Sequence, residues 1–237
     1  MTTITPTTTD DTTVVPTIAH VFFLLDRSGS MDSIASDVVG GFNAFVAEQA
    51  ADGADALMTL IQFDSGDSHE VLASAAPITE IERLTSTTFV PRGGTPLYDA
   101  MGHAIADATI RAEATAGAEP REQIIFVTFT DGEENQSTEY TREAIFNLVR
   151  QREEQGWTFV FLGANQDAYL EGGRVGGHTG NIANFSADED GTALAFESLS
   201  VSMLRERGKM RRSEIRDTTD FFEGDKLSER PSRPKKK

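Results

Sequence analysis

Short runs of consecutive apolar residues alternate with longer segments in which apolar residues recur every three or four positions. The short runs predict buried strands at 21–25, 56–64, 123–131, 157–164 and 181–185. The longer segments predict helices at 32–51, 96–116, 140–156 and 191–212. Segment 69–78 follows its neighbouring strand after a turn-like Ser-Gly-Asp, which predicts an antiparallel hairpin partner.

This alternation predicts an α/β fold: a doubly wound, mostly parallel central sheet with one antiparallel edge strand and helices on both faces, as in Rossmann-like proteins. Residues 1–17 are rich in Thr and predict a disordered arm. Residues 213–237 predict a flexible tail that ends in a basic segment. The predicted domain therefore spans residues 18–212, and the glycine-rich stretch 172–181 within it is expected to be a flexible connection.

Composition narrows the classes of function. A net charge of −17 over 237 residues argues against nucleic acid as a partner, because binding to phosphates needs a basic surface. The chain has no Cys, which excludes a disulfide framework and a zinc-thiolate site. No apolar run approaches the roughly 18 residues of a membrane span, and the N-terminus lacks the layout of a signal peptide. A cytoplasmic location is therefore expected.

Oxygen-bearing side chains cluster where the first predicted strand ends. Asp26 closes the apolar run, and Ser28 and Ser30 follow it at alternate positions. Gly29 between the two serines lets the backbone bend. Arg27 is expected to turn toward solvent. The three oxygen-bearing side chains are thus expected to converge on one point.

Two further oxygen donors are expected at the same edge of the sheet. Asp131 ends the strand 123–131, and Thr95 lies in a glycine-rich loop just before the helix 96–116. In open parallel sheets, ligands bind outside the carboxyl ends of the strands, where the order of winding reverses. A set of carboxylate and hydroxyl oxygens suits hard cations such as Mg²⁺.

The segments DRSGS (26–30), GGTPLYDA with Thr95 and FTDGEEN with Asp131 together resemble the metal-ion-dependent adhesion site (MIDAS) of the von Willebrand factor A (VWA) domain family. The resemblance extends over residues 18–212. The surrounding segments GGFNAF, PRGGTPLYDA and GWTFVFLGANQDA are similar to intracellular bacterial members of the family.

The resemblance implies roles for all five residues. The Ser28 and Ser30 hydroxyls would bind a divalent cation directly, Asp26 and Asp131 would act directly or through water, and Thr95 would join or leave as its loop moves. An acidic side chain of a partner protein would fill an open position, so that the ion bridges two proteins. Mg²⁺ is the expected ion, with Mn²⁺ and Ca²⁺ as alternatives.

These features predict a non-enzymatic, metal-dependent protein–protein interaction module. Intracellular relatives often work with MoxR-type AAA+ ATPases or in stress-response clusters, which implies an adaptor role. Two other functions stay open: a Mg²⁺-dependent phosphatase-like hydrolase with Asp26 as nucleophile, and a structural component whose metal only stabilises the fold. Such phosphatases have a second aspartate where Ser28 stands here. Asp26 and Thr95 could also be ordinary helix N-caps.

Overall fold

The computed structural model describes residues 16–164 and 168–229. Six β-strands lie within these ranges: β1 (Thr17–Asp26), β2 (Ala56–Asp64), β3 (Asp67–Pro77), β4 (Arg121–Thr130), β5 (Thr158–Ala164) and β6 (Ile182–Phe185). The α-helices in the same ranges are α1 (Ala35–Asp52), α2 (Leu97–Ala114), α3 (Arg142–Glu153), α4 (Ala168–Arg174) and α5 (Glu189–Arg211). Short 3-10 helices span Gly29–Ile34, Ile78–Glu80, Thr179–Asn181 and Leu227–Glu229.

The strands of this described part form one sheet in the order β3-β2-β1-β4-β5-β6. Neighbouring strands are parallel, except that β3 runs antiparallel to β2 at one edge. The fold class expected from the sequence is confirmed. The chain winds from β1 outward through β2 and then returns to place β4 on the other side of β1, so the winding reverses between β1 and β4.

Helices cover both faces of the sheet, which explains why the central strands read as continuous apolar runs. Side chains of β1 alternate between the two faces. Phe23 packs with Phe42 of α1 and Phe196 of α5 on one face. Phe22 packs with Phe126 on the other face, in the cluster that includes the buried side chains of α2 and α3.

The C-terminal segment differs from the predicted tail, because its described part packs against the domain. Phe221 and Phe222 are fully buried in the same core cluster as α5. The side-chain amide of Asn181 fixes this segment: its Nδ2 donates to the Thr218 carbonyl (2.7 Å) and its Oδ1 accepts from the Phe221 amide (2.8 Å). Two aromatic side chains provide enough apolar area to hold a largely polar segment on the domain.

The last described residues cover the edge strand β6. Ser228 Oγ donates to the Asn184 carbonyl (2.7 Å), and the Asn184 amide donates to Glu229 Oε1 (2.8 Å). These bonds occupy backbone groups that an open sheet edge would expose. The predicted N-terminal arm lies outside the described residues up to residue 15, and the predicted basic end lies outside them from residue 230.

The glycine-rich stretch 172–181 is more regular than expected. Its first residues belong to α4, and its end forms the 3-10 helix Thr179–Asn181. Ala168 and Val175 are buried against the α2–α3 side of the sheet, which holds this short helix in place. None of the helices in the described ranges has the length and apolar character needed to cross a membrane.

Candidate divalent-cation site

The predicted oxygen donors lie where the winding of the sheet reverses. β1 and β4 are neighbours, so their carboxyl ends bring Asp26 beside Thr130. Thr130 Oγ1 donates to Asp26 Oδ2 (2.6 Å). The Ser28 amide donates to the other carboxylate oxygen, Oδ1 (2.7 Å). Both oxygens of the buried Asp26 carboxylate are therefore held in fixed positions.

The two serine hydroxyls connect the first loop to Asp131. Ser28 Oγ and Ser30 Oγ lie 3.0 Å apart. Ser30 Oγ donates to Asp131 Oδ1 (2.5 Å). Ser28 is buried, whereas Ser30 is exposed and Asp131 is partly exposed. One side of the cluster therefore opens to solvent.

Thr95 completes the cluster from the loop before α2. A β-carbon placed on Gly132 would lie 2.9 Å from Thr95 Oγ1, 3.3 Å from Ser30 Oγ and 3.7 Å from Asp26 Oδ2. Three oxygens from two separate segments, 26–30 and the Thr95 loop, thus lie around one small space, and only glycine at position 132 leaves that space free. The structure brings together all five residues that the sequence singled out.

In the part of the chain that the structure describes, the two carboxylates lack a positive partner. Asp26 is fully buried, and burial raises its pKa to about 6, although the hydrogen bonds from Thr130 and Ser28 oppose this rise. Burial also raises the pKa of Asp131. Within residues 16–164 and 168–229, neither carboxylate forms an ion pair with Lys, Arg or His. A buried acid without a counter-charge is costly, and a bound cation would supply that charge.

The chemistry of the donors fits a hard divalent cation. Carboxylate and hydroxyl oxygens are the ligands such ions prefer, and the site has no sulfur or imidazole. The four histidines pair separately with carboxylates elsewhere, at His20–Glu122, His69–Asp107, His103–Glu139 and His178–Glu153. In the described part of the chain, no group of three or more His, Asp or Glu side chains is arranged to hold a metal ion.

Neither Asp26 nor Thr95 caps the helix that follows it. The 3-10 helix Gly29–Ile34 is preceded by Ser28, which makes no side-chain capping bond. Helix α2 is preceded by Pro96, which cannot make one. The N-cap alternatives for these two residues are therefore not what the structure shows.

The loop after Asp131 is fixed to the start of α2 by residues that the sequence analysis did not single out. The Asp99 carboxylate accepts backbone amides from Thr138 (2.8 Å), Glu139 (3.0 Å) and Tyr140 (2.8 Å). Asn135 Oδ1 accepts the Thr95 amide (2.9 Å), and the Asn135 amide donates to the Thr95 carbonyl (3.1 Å). The run of polar residues after a strand-end aspartate was the available signal for this ordered loop.

Arg27 differs from its expected solvent orientation. Its side chain is only 6% exposed, with Nε donating to Asp64 Oδ2 (2.8 Å) and Nη2 lying 2.7 Å from the same oxygen in an ion pair. Nη1 donates to Gln62 Oε1 (3.0 Å). The reason is that Asp64 ends β2 beside Arg27 and, fully buried, requires a positive partner. The alternation of side chains along one strand gives no information about a pair such as Arg27 and Asp64, which joins two strands.

Comparisons with solved structures identify proteins that share this fold. No protein-family model and no curated protein matches the chain. Among solved structures, the pilus adhesin SpaC from Lactobacillus rhamnosus GG matches with a TM-score of 0.58 and 13% identity, over 80% of this chain and 31% of that chain. Proximal thread matrix protein 1 from the mussel byssus, with a zinc occupied MIDAS motif, matches with a TM-score of 0.52 and 16% identity, over 83% and 48%. The SpRpn10 VWA domain matches with a TM-score of 0.51 and 10% identity, over 78% and 95%.

The fold of this chain is that of a von Willebrand factor A domain. The chain spans less than two thirds of the adhesin and of the mussel protein. Identities of 10–16% establish the shared fold alone, so the function of this chain rests on its own residues.

Proposed function

We propose that this protein is a non-enzymatic, divalent-cation-dependent protein–protein interaction module. The observation that carries the proposal is the convergence of five oxygen-bearing side chains at one edge of the sheet, two of them carboxylates that have no ion-pair partner among the described residues. Asp26, Ser28, Ser30, Thr95 and Asp131 would hold the ion. Mg²⁺ is the proposed ion, with Mn²⁺ and Ca²⁺ as alternatives.

The donor set would leave a bound ion able to take one more carboxylate. Asp26 and Asp131 would balance the charge of a divalent ion and leave little excess positive charge, but the other donors are neutral hydroxyls, so the ion would keep enough Lewis acidity to bind an acidic side chain. The exposed Ser30 and the partly exposed Asp131 mark the side from which a partner would approach. In this mechanism the protein orients the ion, and the partner presents Asp or Glu to it.

A cavity beside the site offers room for neighbouring parts of such a partner. It has a volume of about 150 Å³ and lies between the ends of β4 and β5 and the helix α4. Thr130, Asp131 and Gly132 form one wall, and Ala168 and Glu171 form another. Selectivity for a partner would come from this surface, because the ion itself recognises any carboxylate.

Names of similar structures support a binding role. One is called a pilus adhesin, and another has a zinc occupied MIDAS motif. The finer role that we propose is a cytoplasmic adaptor, with a MoxR-type AAA+ ATPase or a component of a stress-response cluster as the partner. That role rests on the resemblance of the sequence to intracellular bacterial VWA proteins.

Affinity capture tests the proposal directly. The purified protein is incubated with extract of its native cell in Mg²⁺ or in EDTA, alongside the variant Asp26→Ala in Mg²⁺. Asp32→Ala is the matched control, since Asp32 is an exposed acid two residues beyond Ser30 in the same 3-10 helix. We expect a partner in Mg²⁺ with the wild type and with Asp32→Ala only.

Three outcomes would separate the alternatives. The same partners in EDTA and with Asp26→Ala would show that the ion does not bridge the contact. A metal that raises the melting temperature without changing capture would favour a purely structural ion. Mg²⁺-dependent hydrolysis of an aryl phosphate that is lost in Asp26→Asn would favour the phosphatase-like alternative, which we do not expect because Ser28 replaces its second aspartate.

A further inference from the structure

A buried carboxylate outside the five site residues joins two of the loops that carry them. We propose that Asp64 is a positioning residue for the cation site: it holds the loop of Ser28 and Ser30 against the loop of Thr95, and so sets the affinity for a divalent cation. This inference rests on the proposed function for the ion, but the coupling of the loops can be tested without it.

Asp64 accepts hydrogen bonds on both carboxylate oxygens. It is the last residue of β2 and is fully buried. Oδ2 accepts from Arg27 Nε (2.8 Å) and from Arg92 Nε (2.9 Å). Oδ1 accepts the backbone amides of Gly66 (2.6 Å) and Asp67 (3.2 Å). A single carboxylate thus binds two guanidinium groups and the turn between β2 and β3.

Each of the two arginines belongs to a loop that supplies oxygen donors. Arg27 lies between Asp26 and Ser28, and Arg92 lies three residues before Thr95. The two arginines also bond through the backbone, since the Arg92 amide donates to the Arg27 carbonyl (2.8 Å). Movement of either guanidinium would therefore be transmitted to donors of the candidate site.

Backbone bonds extend this connection along both loops. The Gly29 amide donates to the Gly93 carbonyl (3.0 Å), and the Ser65 amide donates to the Gly94 carbonyl (3.0 Å). Ser65 Oγ accepts the Gly94 amide (3.0 Å). Gly93 has a φ of +65°, and a β-carbon there would lie 2.3 Å from Ser65 Oγ, so this contact requires glycine. The three segments around Asp64 form one bonded unit.

The charge of Asp64 also favours cation binding. Arg27 is adjacent in sequence to two of the proposed ligands, and its positive charge is buried. Asp64 compensates that charge. Removing the negative charge would leave Arg27 less compensated near a divalent cation, in addition to loosening the loops. Partners that orient metal ligands without touching the metal typically change affinity by about 10–100-fold when they are replaced.

The test compares three variants by calorimetric titration with Mg²⁺ and Mn²⁺. Asp64→Asn is expected to bind about 10–100-fold more weakly than the wild type. Arg92→Gln removes only the side-chain ion pair between Asp64 and the Thr95 loop and keeps the backbone bonds, and because the Arg92 side chain is 56% exposed, this variant should keep its fold and show a smaller loss. Asp55→Asn is the matched control.

Asp55 suits the role of control because it lies next to the opposite end of β2 from Asp64. It bonds Arg207 and Arg211 in a cluster of the same kind. Asp55 directly precedes the nine-residue strand β2 and Asp64 is its last residue, so the two aspartates lie about 30 Å apart at about 3.3 Å per residue. Asp55→Asn should therefore lose stability but keep the cation affinity of the wild type.

Amide hydrogen exchange in EDTA gives a readout that needs no ion. Asp64→Asn and Arg92→Gln should both speed exchange at Gly94, and Asp64→Asn should also speed exchange at Gly29, with the core strands unchanged. Equal cation affinity in Asp64→Asn and Asp55→Asn, or wild-type exchange at both glycines, would overturn the inference. If the wild type binds no divalent cation, the proposed function fails, and the exchange rates alone decide whether Asp64 holds the loops.

Discussion

Replacing Asp26 by Asn is expected to stabilise the metal-free protein while abolishing its binding of divalent cations. The Asp26 carboxylate is fully buried and has no ion-pair partner in the described ranges. Asparagine has nearly the same shape and keeps an oxygen that can accept the Ser28 amide bond, but it carries no charge. The substitution removes the cost of a buried charge and, with it, the attraction for a cation.

The magnitude follows from the pKa of Asp26. Burial raises it from 3.8 to about 6, so the folded state binds the proton more tightly than the unfolded state does. The stability contributed by the protonated group is therefore complete below about pH 4 and is lost as the pH rises through 6. The shift corresponds to about 3 kcal/mol at pH 7.5, and loss of charged hydrogen bonds reduces the net gain to about 1–3 kcal/mol.

Urea unfolding in EDTA at pH 4 and pH 7.5 measures this difference. At pH 7.5, Asp26→Asn should have a higher free energy of unfolding than the wild type, and in thermal unfolding it should melt several degrees higher. At pH 4 the difference in stability between the two proteins should be smaller. Added Mg²⁺ should stabilise the wild type in proportion to its occupancy and leave the variant unchanged. A variant less stable than the wild type at pH 7.5 in EDTA, or equal stabilisation of both by Mg²⁺, would refute the reasoning.

Three further substitutions test other parts of the structure. Gly132→Ala places a methyl group 2.9 Å from Thr95 Oγ1 and should abolish cation binding in a calorimetric titration while the circular dichroism spectrum stays native. Phe222→Ala should cost about 3–5 kcal/mol in urea unfolding, because the side chain is fully buried; a change below 1 kcal/mol would contradict its place in the core. The pKa of Asp55 is held at about 2, chiefly by the Arg211 hydrogen bond, so its contribution is present above about pH 4 and lost toward pH 2. Asp55→Asn should lower the free energy of unfolding by about 1–2 kcal/mol at pH 7 and reduce its fall between pH 4 and pH 2. An unchanged fall over this pH range would contradict the role of these ion pairs.

Local patterns predicted the sheet and the cluster of oxygen donors well. The central strands are covered on both faces, so each appears as an uninterrupted apolar run, as at Val21–Leu25 of β1. The parallel arrangement then places the residue after each run at one edge of the sheet. This reasoning brought Asp26 and Asp131 together across more than a hundred residues, as the structure shows.

Contacts between distant segments were beyond the reach of these patterns. Arg27 follows an apolar strand, and nothing in the sequence near it indicates that it forms a buried ion pair with Asp64 of a different strand. The C-terminal Phe221 and Phe222 lie in a polar stretch, and the Phe221 amide is bound by Asn181, which belongs to the distant 3-10 helix Thr179–Asn181. Helix α4 has only seven residues and contains two glycines, so its packing against the sheet, rather than its own propensity, makes it helical.

The most direct test of the cation site is a crystal structure of the protein grown with Mn²⁺, with anomalous diffraction used to locate the ion. We expect one strong anomalous peak within about 2.5 Å of the Ser28 and Ser30 hydroxyl oxygens, close to Asp26, Thr95 and Asp131, and no such peak in crystals of Asp26→Asn. A peak elsewhere on the molecule, or none at this cluster at millimolar Mn²⁺, would contradict the account.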